Sequence, residues 1–214
     1  GSVSFPSFSR ANANLSNGSI LVEVKKYMPI SVLIIVPISS FIIFFIEDIL
    51  RFYIENSISI EVIDIFPIYI IGSMFAGFIP LFNGLVLSSD SSKDSVYILL
   101  ISSVIYLACL PFLISFMGIF GAAYGYCFLQ ILTFSSYVIR SCFLPQLENL
   151  ATQFIKYMLI PALLIFLLTY IANHLYEEYL RTQSSYDMFY LVLIYFLVQA
   201  MASIPFLSKF LIKH

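Results

Sequence analysis

Tryptophan is absent from the 214 residues, and charge is scarce: Asp, Glu, Lys and Arg together make up 10% of the chain. Soluble domains carry roughly 25%. Twelve acids against ten bases leave a net charge of −2, which excludes the polybasic surface that nucleic acid requires. Cysteine is limited to Cys109, Cys127 and Cys142. Their spacing suits no zinc site and their odd number argues against a disulfide framework, so they read as small apolar packing residues. What fills the chain instead is apolar: 61% of residues are hydrophobic, 22 are Phe and 15 are Tyr. Such aromatic content excludes disorder. A globule of this length could not hide that much apolar surface from water. The composition is that of an all-α integral membrane protein.

Chemistry-bearing residues are equally sparse. The histidines are His174 and His214, with no His-Glu-x-x-His and no Gly-x-Ser-x-Gly. Glu177-Glu178-Tyr179-Leu180-Arg181 approximates the Glu-Glu-x-x-x-Arg signature of intramembrane prenyl-protein proteases, but its Arg comes one residue early. No His-bearing partner helices follow it. The segment reads as an interfacial i,i+4 ion pair, and His174 as an interfacial polar residue. No enzyme, metal or cofactor is expected.

A membrane-crossing helix needs about 20 apolar residues. Charge-free windows predict six: Tyr27 to Ile46, Phe66 to Ser89, two within Ser95 to Ile139 with a turn at Phe116-Met117-Gly118, Tyr157 to Tyr176, and Met188 to Ser208. Residues 1–26, polar and mixed, read as a cytoplasmic linker or interfacial helix. With neither an initial Met nor a leader, the sequence is expected to be the C-terminal portion of a longer chain.

Orientation follows from basic residues. Arg10, Lys25, Lys26, Lys93, Arg140, Lys156, Lys209 and Lys213 fall on one side, and Arg51 and Arg181 on the other beside eight acids. The first side is expected to be cytoplasmic, and both termini lie there.

Gly118, Gly121 and Gly125 share one face of the fourth span, a spacing that allows close helix approach. The second span has no such row, so Gly72 is expected to be a less demanding position. Prolines 37, 80, 111, 161 and 205 fall inside spans and are expected to bend them. A second face of the fourth span carries Tyr126, Gln130, Thr133, Tyr137 and Arg140, a continuous polar stripe. Such a stripe cannot face lipid cheaply, so it faces protein or a wet cavity. The sixth span repeats it weakly with Tyr195, Gln199 and Ser203, and the second span adds Asn83.

At these residues a resemblance emerges. Phe5-Pro6-Ser7-Phe8-Ser9-Arg10 resembles the Phe-Pro-x-Leu-Ser-Arg signature of polysaccharide flippases, which export O-antigen and lipid-linked oligosaccharides. Asn83-Gly84-Leu85 and the turn Ser88 to Lys93 resemble that family's Asn-x-x-Leu helix and Gly-Lys turn, with Ser-Ser-Asp-Ser-Ser-Lys where the glycine would be. Gly118-Ile119-Phe120-Gly121-Ala122-Ala123 is similar to its Gly-Ile-x-Gly-Ala-Ala. The three occur in order over about residues 5 to 142.

The resemblance implies the last part of a 14-helix, two-bundle flippase of the multidrug/oligosaccharidyl-lipid/polysaccharide superfamily. Residues 27–142 would complete the second bundle, and residues 143–214 would supply two additional C-terminal helices. Implied with it are a multi-pass place in the cytoplasmic (inner) membrane and alternating-access translocation of undecaprenyl-diphosphate-linked oligosaccharide. A proton or sodium ion would be the coupling ion, and other glycan-assembly membrane proteins would be partners. The substrate-path candidates are Tyr126, Gln130, Thr133, Tyr137, Arg140 and Asn83. Arg140 and Lys93 are the candidates for attracting phosphate. Rival readings are a multidrug or lipid-precursor exporter, a glycan polymerase and a non-catalytic membrane scaffold.

Overall fold

A computed structural model describes residues 17–53, 60–89, 92–144 and 150–179, and all its regular structure is helical. The helices are α1 (Asn17–Tyr53), α2 (Ile60–Ser88), α3 (Ser92–Met117) and α4 (Ile119–Cys142). They are followed by a short α5 (Leu150–Phe154), a π-helical turn (Ile155–Leu159) and α6 (Ile160–Tyr179). Five segments are long and apolar enough to cross a membrane, the fifth running unbroken from Leu150 to His174. The chain is a multi-pass membrane protein. The sixth expected span, Met188 to Ser208, lies outside the described residues.

Two boundaries differ from expectation for local reasons. α1 begins at Asn17, inside the stretch read as a linker, and runs through both Pro29 and Pro37. Helix-favouring Leu21, Glu23, Lys25 and Lys26 extend it beyond the purely apolar window. Its regularity fails instead at Phe45 (φ −110°, ψ 17°), a buried residue whose ring stacks on Phe41 at 5.0 Å. The fifth span starts early, with the π-helical turn ahead of Pro161. There the Ile160 N–H donates to the Ile155 carbonyl, five residues back, and the proline that follows has no N–H to offer.

The turn between α3 and α4 sits where the sequence predicts it. Gly118 adopts φ 57°, ψ −132°, a conformation open to glycine and strained for other residues. Its N–H donates to the Ile114 carbonyl at 2.8 Å, and its own carbonyl accepts from the Gly121 N–H at 3.0 Å. The chain therefore reverses within one residue, and α4 folds back along α3.

α4 is the central helix, packed on α2 along one side and on α3 along another; α2 in turn packs on α1, and α1 on α6. Val24, Met28, Val32 and Val36 of α1 share one buried cluster with Phe78, Leu81, Phe82 and Leu85 of α2. Phe134 of α4 joins it through ring contacts with Phe75, Phe78, Phe82 and Phe154. In lipid this core gains little from the hydrophobic effect, because acyl chains are as apolar as leucine; van der Waals fit and interhelical hydrogen bonds do the holding. α3 lies at the edge, with Val96, Leu100, Val104, Leu107 and Phe112 all exposed as a lipid-facing helix requires.

Serine is frequent in these apolar helices, and several of its hydroxyls are satisfied locally, although that of buried Ser141 has no partner among the described residues. Ser31, Ser88, Ser115 and Ser136 each donate to a carbonyl three or four residues earlier. The hydroxyls that reach across helices are therefore informative. Ser40 of α1 meets Thr169 of α6 at 3.1 Å, both fully buried. Phe44 packs beside them on Phe166 and Tyr170.

Candidate functional site

The glycine face and the polar stripe of α4 point to different neighbours. Gly121 and Gly125 face α3. A Cβ on Gly121 would collide with the Leu113 carbonyl, whereas one on Gly125 would meet only the ends of Tyr106, Leu110 and Leu113, at 3.3–3.4 Å. Gly118 serves the turn and has open space around it. The close approach between α4 and α2 depends on Gly72, whose Cβ would lie 2.9 Å from the Tyr126 ring and 3.0 Å from the Cys127 Cα. Gly72 is thus tight without belonging to a glycine row, yet its obstacles stand farther off than the Leu113 backbone opposite Gly121, the order expected of the two positions.

The stripe begins at Tyr126, whose ring stacks on Tyr69 of α2 at 4.4 Å, with planes 13° apart. Its hydroxyl lies 3.4 Å from the Ser73 hydroxyl. One turn on, Gln130 is half-buried, and no hydrogen bond reaches it among the described residues. Thr133 is buried, and Tyr137 is wholly so. The stripe thus passes from partly open to sealed along α4.

The seal is a three-helix hydrogen-bond cluster. Ser95 of α3 donates to Asn83 Oδ1 of α2 at 2.7 Å. Tyr137 lies 2.9 Å from the Ser95 hydroxyl and donates to the Ser95 carbonyl at 3.3 Å. With Ser95 donating to Asn83 and Tyr137 to Ser95, every hydroxyl proton in the cluster is used. Burying these groups would be costly without such pairing. Immediately beside it, Arg140 donates to Asp94 Oδ2 through Nε and Nη2, each at 2.6 Å.

The structure therefore joins Asn83, Tyr137 and Arg140 at one end of the bundle and sets Tyr126 toward the other, with Gln130 and Thr133 between. Lys93 is exposed beside Asp94. The residues missed from sequence are the partners: Ser95, Asp94, Tyr69 and Ser73. Ser95 and Asp94 directly follow Lys93 and begin the third span, yet nothing in their spacing signals a contact with residues more than forty positions away. Among the described residues no group of His, Cys, Asp or Glu could hold a metal.

Comparison with protein-family models, curated proteins and solved structures returns no match.

Proposed function

We propose that the chain is part of a polysaccharide flippase that moves a polyprenyl-diphosphate-linked oligosaccharide from the cytoplasmic to the outer leaflet. The proposal starts from the three ordered motifs and from the multi-pass apolar architecture. The observation that carries it furthest is the graded stripe of α4, half-buried at Tyr126 and Gln130 and sealed at Tyr137 by Asn83 and Ser95. A polar path open toward one membrane face and closed at the other is what alternating access needs in one of its two states. On the charge rule the closed end is cytoplasmic, since Lys93 and Arg140 lie there. Sugar would travel along the hydroxyl and amide groups while the polyprenyl tail stayed in lipid. A proton or sodium ion would drive the exchange.

One observation favours a second reading, a non-catalytic membrane scaffold. Tyr126, Tyr137 and Arg140 each have a protein partner, so much of the stripe is engaged in helix-to-helix contact. The deciding experiment is complementation: the intact protein is expressed in cells lacking their own polysaccharide flippase. Restored surface glycan supports transport. Normal membrane insertion without glycan display from any matched donor pathway favours the scaffold.

A further inference from the structure

Three buried side-chain oxygens have no hydrogen-bond partner among the described residues: Glu23 Oε2 of α1, Ser141 Oγ at the end of α4 and Gln153 Oε1 of α5. They fall at one end of the bundle. Their chain neighbours Val24, Leu144, Leu150 and Phe154 all pack in a single apolar cluster, and α5 touches both α1 and α4. α1 and the fifth span cross the membrane in the same direction, and Ser40 of one meets Thr169 of the other. Gln153 stands as far before Thr169 in sequence as Val24 stands before Ser40. At equal rise per residue Glu23 and Gln153 therefore lie at nearly the same depth, and the π-helical turn shifts this register by about one residue. On α4, Phe134 and Ser141 share a buried face, and the Phe134 ring meets that of Phe154, which directly follows Gln153.

Carboxylate and amide oxygens accept hydrogen bonds and donate none. Glu23 Oε2 and Gln153 Oε1 thus cannot satisfy each other, and burying them unpaired is costly, most of all for a charge. No ion pair offsets Glu23 among the described residues. Lys26 and Lys156, exposed at the same end, lie over the rings of Tyr27 and Tyr157, 5.7 and 5.4 Å from the centroids. Water could donate to all three oxygens but would leave the charge in place. A cation meets both needs. One carboxylate, one amide oxygen and one hydroxyl make a hard, singly charged donor set, suited to an alkali-metal ion rather than to calcium, whose sites gather several carboxylates.

We infer that Glu23, Gln153 and Ser141 bind an alkali-metal cation, which ties the start of α1 to α5 and to the end of α4. The inference is independent of the flippase reading, since none of the three residues belongs to the polar stripe.

The test uses the chain in phosphatidylethanolamine nanodiscs, with sodium or potassium chloride exchanged for choline chloride at constant ionic strength. The thermal unfolding midpoint is expected to rise and saturate with one of the alkali ions, because an ion bound only by the folded state stabilises it. Glu23→Gln abolishes the response, whereas Glu61→Gln, at an exposed acid on the opposite end of the bundle, preserves it. Gln153→Leu and Ser141→Ala each weaken ion binding by about tenfold or more, the scale found even for supporting residues of a metal site. Gln153→Glu supplies a second carboxylate and shifts the preference toward calcium. Equal melting in sodium, potassium and choline overturns the inference and assigns the three oxygens to water or to donors outside the described residues. So does an alkali response that survives Glu23→Gln, or one that neither Gln153→Leu nor Ser141→Ala alters. Where Glu23→Gln does not fold, Gln153→Glu decides: an unchanged ion preference overturns the site.

Discussion

Gly72 of α2 faces Cys127 of α4 so closely that a Cβ at position 72 would stand 3.0 Å from the Cys127 Cα, with the Tyr126 ring nearer still at 2.9 Å. The contact lets Tyr126 lie flat between the two helices and stack on Tyr69. Because α2 and α4 pack along each other more extensively than any other pair of described helices, a side chain at 72 has nowhere to go without moving one helix.

Gly72→Leu is therefore expected to destabilise the protein by about 1–3 kcal/mol, the usual range for overpacking. Gly121→Leu should do at least as much, since its obstacle is the Leu113 backbone. Gly125→Ala should cost less, because only flexible side-chain ends must yield. Thermal unfolding in detergent ranks the three. A Gly125→Ala effect equal to that of Gly72→Leu would contradict these contacts.

The five spans of the described residues and the α3–α4 turn were legible in the sequence because each depends on local composition: an apolar window of sufficient length, or a glycine at a forced reversal. Helix pairing was not. Of the glycines at 118, 121 and 125, the latter two lie against α3 while Gly118 serves the turn, and spacing on one helix does not name its partner. The tight contact at Gly72 was not legible because it is set by Tyr126, more than fifty residues away. The stripe from Tyr126 to Arg140 was legible as a face. Which of its groups are engaged depended on Ser73, Asn83, Ser95 and Asp94, residues that read as turn or interface serines and charges until the helices are brought together.

The cluster at the sealed end should behave as a unit. Tyr137→Phe removes the hydroxyl that meets the Ser95 hydroxyl and carbonyl; Asn83→Ala removes the acceptor for Ser95. Each alone should cost about 1 kcal/mol. Together they should cost clearly less or more than the sum, because residues in one hydrogen-bond network couple. Additive losses in a double-mutant cycle would show two independent contacts instead.

The α1–α6 junction rests on a different pair. Ser40 and Thr169 are both buried; Thr169 also donates to the Ile165 carbonyl and Ser40 to the Pro37 carbonyl at 3.2 Å, so the bond between the two hydroxyls shares a proton with one of these carbonyls. Thr169→Val preserves shape and removes the interhelical bond. Membrane double-mutant cycles place such bonds near 0.6 kcal/mol, so the expected loss in unfolding free energy is about that size. A loss several times larger would mean that the hydroxyl pair also sets the helix register.

Orientation is checked by single cysteines in a background lacking Cys109, Cys127 and Cys142. Cysteine at Glu61, exposed in the first turn of α2, should react with an impermeant maleimide added to intact cells. Cysteine at Ser92, exposed at the start of α3, should react only after permeabilisation. The expectation rests on the sequence pattern alone, which assigns eight of the ten basic residues to the Ser92 side. Labelling of Ser92 in intact cells would reverse the direction assigned to transport.

Gln130 separates transport from packing most sharply. Every other long polar side chain of the stripe has a protein partner: Tyr126 meets Ser73, Tyr137 meets Ser95, and Arg140 meets Asp94. The Gln130 amide has none among the described residues, yet it lies half-buried near the middle of a membrane-crossing helix. An amide left unpaired in hydrocarbon costs several kcal/mol, so its presence there needs water, substrate or a polar group outside the described residues to offset the cost. Gln130→Leu should then leave abundance and melting temperature unchanged, or raise the latter, while lowering surface glycan in complemented cells. Tyr137→Phe should do the reverse, losing stability first and export only in proportion to the protein lost. The scaffold reading expects Gln130→Leu to be neutral for export or to act solely through protein abundance. Normal glycan display at normal abundance from Gln130→Leu would remove the stripe from the transport path and leave it as a seam between helices.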